Sequence, residues 1–234
     1  MELSVYVTFA QRDERRDLAW KFTGHAQRFE AAGAPAPCLQ VPYWEATPEL
    51  MRRLAPQAVV LSGFGRSFEQ YHVPDFLPLL SWLDSTTTPV LALCGGHQLL
   101  GNHYTQDLRE TAQLFDQPIR RLRPGEPVTN PDYHPGHFME RGFYSLNLTE
   151  DGASDPLFQG LGEHPQVYES HYCEVKQLPP GFRLLASTEE CRIQAMRRDD
   201  RLLYSFQFHP EDYSDTFPAG RILLERFFDL AKSC

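Results

Sequence analysis

Two short runs, Ala58–Leu61 (AVVL) and Pro89–Leu93 (PVLAL), contain no polar side chain. A strand with one wet face alternates apolar and polar residues; a strand apolar throughout is covered on both faces, as in a parallel sheet sandwiched between helices. The segments around these runs have helical periodicity. Residues 13–32 place Leu18, Phe22, Ala26 and Phe29 on one face and stop at Gly33. Thr47-Pro48 opens a short helix through Leu54, with a cap residue followed by proline. A further helical pattern covers 74–84. Val5–Phe9 and the weaker 37–43 complete an alternation of strands and helices. The prediction is an α/β chain with a mostly parallel central sheet and helices on both faces, in which ligands sit beyond the carboxyl ends of the strands.

The texture changes after about residue 105. Residues 118–137 are rich in Pro, Arg and His and read as a long loop. Shorter strand-like runs follow at 141–148, 166–175, 182–187, 192–197 and 202–208, predicting a smaller mixed or antiparallel extension. An amphipathic helix over 217–232, with Ile222, Leu223, Phe227 and Leu230 inward, closes the chain. No repeat, low-complexity linker or second boundary is found. The expectation is one domain over 1–234, with a long insertion at about 104–145.

The formal net charge is −9, which disfavours nucleic acid and anionic membrane surfaces as partners. No run approaches the roughly 20 apolar residues of a membrane span. The N-terminus lacks the basic start and small-residue cleavage site of a signal peptide. A cytoplasmic location is expected. The five cysteines, Cys38, Cys94, Cys173, Cys191 and Cys234, are scattered without CxxC spacing, which predicts neither disulfides nor a zinc site.

Cys94 follows a buried strand and precedes Gly95, Gly96 and a helical pattern. A strand–turn–helix with small residues at the turn exposes a nucleophile at the sheet end. It also aims helix N-terminal N–H groups at whatever is attacked, and it favours thiolate. A buried structural cysteine would suit the position alone; the glycines and the polar pair His97-Gln98 favour function. His209-Pro210-Glu211 follows the strand-like run 202–208. Residues two apart in extended backbone share a side, so Glu211 can accept the imidazole N–H while His209 moves the thiol proton. A surface turn is the alternative for this tripeptide taken alone.

These stretches resemble class I glutamine amidotransferases, whose pattern is G-x-C-x-G-x-Q on a strand end and H-P-E near the C-terminus. Here they are Ala92-Leu93-Cys94-Gly95-Gly96-His97-Gln98 and His209-Pro210-Glu211. Leu61-Ser62-Gly63-Phe64-Gly65 is similar to the family's oxyanion strand LSGGP, and Glu169-Ser170-His171 to its S-H motif. The resemblance spans about residues 56–215. It implies the flavodoxin-like architecture of the family, with Cys94 as nucleophile, His209 as base and Glu211 as its orienter. It implies an oxyanion hole from Gly63, Phe64 and Gly95, and substrate contacts from Gln98, Ser170, His171 and Tyr172. No cofactor or metal is implied. The substrate would be glutamine or another γ-glutamyl compound, and a synthase subunit could receive the ammonia. A stand-alone γ-glutamyl peptidase with the same triad is the alternative, and a non-catalytic binding module a third reading. Ala92 and Phe64 depart from the pattern, both at family glycines.

Three other groups carry weaker signals. His134-Pro135-Gly136-His137 has ligand-like spacing, but in a loop with no carboxylate–cysteine cluster nearby. The Gly63–Ser67 turn lacks the lysine of a phosphate loop. Arg109, Arg120, Arg121, Arg123 and Arg141 read as solvated surface, or as a patch for a partner or an anionic substrate.

Overall fold

The computed structural model describes residues 2–234. In chain order its strands are β1 (Ser4–Thr8), β2 (Cys38–Pro42), β3 (Ala58–Leu61), β4 (Val90–Leu93), β5 (Glu140–Ser145), β6 (Asn147–Leu148), β7 (Gln166–His171), β8 (Phe182–Ser187), β9 (Ala195–Arg198) and β10 (Leu203–Phe206). Its α-helices are α1 (Arg15–Gly33), α2 (Pro48–Leu54), α3 (Leu77–Ser85), α4 (Gly95–Thr105), α5 (Glu150–Ser154) and α6 (Ala219–Lys232). Eight strands form one sheet in the order β2-β1-β3-β4-β10-β9-β8-β6. The first five of that order pair in parallel; β9, β8 and β6 add an antiparallel wing. Strands β5 and β7 form a separate antiparallel pair.

The core shows why β3 and β4 carry no polar residue. Val5, Val7, Val59, Leu61, Val90 and Ala92 join Leu79, Leu83, Leu99 and Leu100 of α3 and α4 on one face. Tyr6, Val60, Leu91, Leu93, Tyr204 and Phe206 join Phe22, Phe29, Leu223 and Phe227 of α1 and α6 on the other. Successive side chains alternate between two buried faces. Helix α2 begins as its sequence dictates: the Thr47 hydroxyl accepts the Leu50 N–H at 3.2 Å, with Pro48 in the first turn.

The run 141–148 departs from expectation. It is two strands meeting at Leu146, β5 on β7 and β6 on β8, so neighbouring residues serve different sheets. Helix α6 begins two residues later than its pattern suggested, and α3 follows a 3₁₀ turn at Val73–Phe76. Between α4 and β5, residues 106–139 contain no helix or strand beyond isolated bridges at Pro118, Arg121 and His137. Asp116, Asn130, Tyr133 and Met139 of this segment line the space beside Cys94.

Candidate active site

The geometry begins with the backbone of Cys94. At φ 49° and ψ −108°, it lies where an L-residue is strained. Three hydrogen bonds hold the kink: Cys94 N to Phe206 O (2.7 Å), Gln98 N to Cys94 O (3.0 Å) and Gly96 N to Ser62 O (2.9 Å). The first two clamp the elbow between β10 and α4. The third seats the helix start against the end of β3. Close approach there excludes side chains: a Cβ on Gly95 would lie 2.6 Å from the Phe64 nitrogen, and one on Gly96 2.9 Å from Ser62 O. Among the described residues, the N–H groups of Phe64 and Gly95 donate to no backbone or side-chain acceptor. Phe64 holds its turn by packing, its ring centroid 4.7 Å from those of Phe9, Phe68 and Tyr71.

Strand β10 is parallel to β4 and directly beside it. The residues that follow its end are therefore delivered beside Cys94, just past the end of β4, and His209 is the third of them. Cys94 and His209 face each other across Gly63: a Cβ there would lie 3.5 Å from Cys94 Sγ and 3.3 Å from His209 Cε1. His209 Nδ1 is 2.8 Å from Glu211 Oε1, and the His209 N–H donates to Tyr168 O at 2.8 Å. Glu211 is fully buried. The structure thus brings Cys94, His209 and Glu211 into one chain of contacts.

Electrostatics favour the charged forms of this pair. Burial pushes the Cys94 thiol up, but the charge and hydrogen bond of His209 outweigh it, with the His171 charge behind, and the net shift is downward. Burial pushes His209 down; Glu211 and Cys94 together hold it well above the ordinary imidazole value. Burial likewise opposes ionisation of Glu211, and His209 reverses it. A thiolate facing an imidazolium braced by a carboxylate is the reactive state of a cysteine nucleophile.

Helix α1 supplies a brace that the sequence did not advertise. His25 lies on the buried face of α1. Its Nδ1 lies 3.2 Å from the Tyr6 hydroxyl and 3.6 Å from Glu211 Oε1, and its Nε2 is 3.5 Å from Asp212 Oδ1. Arg28 donates to the backbone oxygens of Glu211 (2.6 Å) and Tyr213 (2.8 Å), fixing the turn after β10.

Beside Cys94 a tight pocket of about 60 Å³ is lined by Gln98, Ser170, His171 and Tyr172, together with Arg66 and Asp116. The Gln98 amide nitrogen donates to Cys173 O (3.0 Å) and Gln207 Oε1 (3.1 Å), tying α4 to the segment after β7. Both His171 nitrogens are committed inside the protein. Nδ1 contacts Cys173 O at 2.7 Å, and Nε2 lies 3.0 Å from Glu140 and 3.1 Å from Glu169. Burial alone would lower its pKa, but the two carboxylates raise it to about 10. Glu169 rises to about 7, mainly through burial, partly offset by His171. A contact from His171 to a substrate would therefore come through its backbone. Glu140, His171 and Cys191 also hold donor atoms within 4.8 Å of one another. The imidazolium occupies the cationic role in that cluster.

Asp116 has no signal in the sequence, because nothing local marks an acid in a loop. Here its carboxylate accepts the Phe68 N–H at 2.8 Å and the Tyr172 hydroxyl, and it faces the pocket. His134 stacks on Tyr172 with ring centroids 3.9 Å apart and lies 3.0 Å from the Ser67 hydroxyl. His97, whose place beside the cysteine suggested function, is a core residue. Its ring bridges Ser205 Oγ (2.7 Å) and Ile193 O (3.1 Å), and burial drops its pKa to about 3. Arg120 and Arg123 are paired with Glu126 and Glu190, and Arg109 with Asp84 and Asp107; among the described residues no charge pair involves Arg121 or Arg141.

A cysteine at a strand–helix elbow, a histidine–glutamate pair in the turn after the adjacent parallel strand and free N–H groups at the helix start define a cysteine-nucleophile α/β enzyme. The glutamine amidotransferase class-I family matches residues 26–230, and the chain belongs to that family. It is 32% identical over 163 residues to a glutamine-hydrolyzing GMP synthase subunit of Pyrococcus abyssi, covering 70% of each chain. It is 30% identical over 213 residues to the glutamine-hydrolyzing GMP synthase of Symbiobacterium thermophilum, covering 91% of this chain and 31% of that one. The fold is shared with the CTPS glutaminase domain of Trypanosoma brucei solved with bound acivicin. That match has a TM-score of 0.66 and 14% identity, and it covers 99% of this chain and 94% of that one. It is also shared with a glutamine amidotransferase of Thermotoga maritima, at a TM-score of 0.59 and 15% identity, covering 98% and 99%.

Proposed function

We propose that this chain hydrolyses the γ-amide of glutamine through a thioester on Cys94. The observation that carries the reading is the placement of the Cys94 thiol between the His209–Glu211 pair and the pocket at Ser170 and Tyr172. The thiolate attacks the γ-carbonyl carbon, and the Phe64 and Gly95 N–H groups stabilise the charge that develops on its oxygen. The intermediate collapses, the C–N bond breaks, and His209 gives its proton to the departing nitrogen, which leaves as ammonia. His209, now neutral, takes a proton from water. The hydroxide adds to the thioester, and glutamate leaves as the thiolate returns. Gln98, Ser170, Tyr172 and the backbone of His171 hold the α-amino and carboxylate ends, with Asp116 placed to take the ammonium.

The reading extends to one domain over 1–234 carrying an insertion at 104–145, and to a separate synthase subunit that receives the ammonia, since both relatives above are named GMP synthase. Among the described residues no helix is long and apolar enough to cross a membrane, and a cytoplasmic location is part of the proposal. The test is labelling with 6-diazo-5-oxo-norleucine followed by mass spectrometry, alongside a glutaminase assay of Cys94→Ser. The expected result is one label, on Cys94, and loss of turnover in the variant. A label on Cys38, Cys173, Cys191 or Cys234 would overturn the assignment.

A further inference from the structure

Two glutamates outside the triad are buried with one histidine between them. Glu140 of β5 and Glu169 of β7 are at most 1% exposed. Among the described residues their only ion-pair partner is His171, whose Nε2 lies 3.0 Å from Glu140 and 3.1 Å from Glu169. Thr188 and Gln194 each donate to Glu140 at 2.6 Å. Neither Glu169 oxygen has a hydrogen-bond partner apart from that contact. Buried ions are a weak means of stabilising a fold, because apolar residues of the same volume serve as well or better. The arrangement therefore points to a use for the charge it holds.

That charge stands beside the nucleophile. His171 borders the pocket that contains Cys94, and neither glutamate does. Register fixes it, since Glu140 and His171 are opposite each other in the β5–β7 ladder. Its Nδ1 lies 2.7 Å from Cys173 O, the carbonyl that also accepts the Gln98 amide at 3.0 Å. Gln98 in turn donates its backbone N–H to Cys94 O, so the ring is tied to the elbow through one carbonyl and one turn of α4. The other titratable groups around it are uncharged. Burial holds the Cys191 thiol well above its ordinary value and pushes His97 down to about 3. At Cys94 burial acts upward, and His209 first, then His171, then Lys21 of α1 act downward.

We propose that His171 is a positioning residue for Cys94: Glu140 and Glu169 hold a fixed imidazolium behind the nucleophile, and its charge favours the sulfur as thiolate both before attack and when the thioester breaks. The two histidines then divide the work. His209 gives up its proton to the departing nitrogen in each turnover, whereas both His171 nitrogens are enclosed and its proton stays. When hydroxide has added to the thioester carbon, the C–S bond breaks and the electron pair returns to sulfur with the His171 charge already in place. This rests on the Cys94 thioester chemistry proposed above, and it gives the His171 ring a role other than the substrate contact that the resemblance implied.

The experiment measures the pH of half-maximal Cys94 alkylation by iodoacetamide in the full chain, in Glu169→Gln and in His171→Gln/Glu169→Gln, which removes one charge of each sign. Glu169→Gln is expected at or below the parent's pH, because Glu140 still holds the imidazolium. The double variant is expected about 0.5–1 pH unit above the parent; circular dichroism reports its folding. A folded double variant with the parent's inflection, or an equal rise in Glu169→Gln alone, overturns the proposal. So does a raised KM for glutamine in the double variant with the inflection unmoved, which makes His171 a substrate contact. In the parent chain labelled with ¹⁵N-histidine, His171 should carry both ring protons at about pH 8; a neutral ring there overturns the proposal whatever the variants do. A parent chain that gives these shifts but hydrolyses no glutamine fails the thioester reading and leaves the charge assignment supported.

Discussion

Replacing Cys94 by glycine is expected to give a more stable protein than replacing it by alanine. Both variants lose the nucleophile, so the comparison isolates the backbone. At φ 49° and ψ −108° the Cβ of any L-residue is strained, at a cost on the order of 1–3 kcal/mol. Alanine retains that cost and glycine removes it. Against this, glycine loses about 0.5–1 kcal/mol more chain entropy on folding. Glycine is therefore favoured by roughly 0.5–2 kcal/mol, setting the low end of one range against the low end of the other and high against high. For a chain of this size 1 kcal/mol moves Tm by about 2–4 °C. The glycine variant should melt roughly 1–8 °C above the alanine variant, with urea midpoints in the same order. The three hydrogen bonds at the elbow, to Phe206, Ser62 and Gln98, leave little room for the alanine backbone to relax. An alanine variant melting at or above the glycine variant would refute the idea that the elbow is strained and held by its surroundings.

Two further outcomes are expected. A Cβ on Gly220 would overlap Pro210 O and lie 2.9 Å from Pro210 Cα, backbone that cannot swing away; Gly220→Ala should cost about 1–3 kcal/mol and also lower kcat, because α6 would push on the turn holding His209 and Glu211. A fall in Tm with kcat intact would detach that turn from the triad's alignment. The second concerns pH. The Cys94 pKa is depressed because the His209 charge outweighs burial, so its alkylation by iodoacetamide should reach half-maximal rate below the ordinary thiol value of about 8.5. In His209→Asn the burial effect remains and the cation is gone, so the inflection should move to higher pH. The same inflection in both proteins would rule out the ion pair.

What the sequence disclosed follows from how local each signal is. The AVVL and PVLAL runs announce two buried faces without reference to any other part of the chain, and the elbow at Cys94 is marked by its own glycines. The split of 141–148 between two sheets was hidden, because the choice of β7 or β8 as partner is made by distant residues. His25 and Asp116 were missed for the same reason. A histidine on an inward helix face and an acid in a loop acquire roles only when Glu211 and Tyr172 arrive beside them. His97 misled because a polar residue beside a nucleophile resembles chemistry, while its partners Ser205 and Ile193 lie far along the chain.

The place of β10 between β4 and β9 has a consequence for the chain as it is being made. Until residues 203–206 leave the ribosome, β4 is an open edge, apolar on both faces, with an unpaired row of backbone donors and acceptors. Cys94 at its end then has neither the Phe206 carbonyl that holds its turn nor the His209 charge that lowers its pKa. A nascent chain stopped short of β10 carries an ordinary thiol on a sticky edge. Such a chain should need shelter by a chaperone, and the same late event that seals the sheet against aggregation switches on the nucleophile.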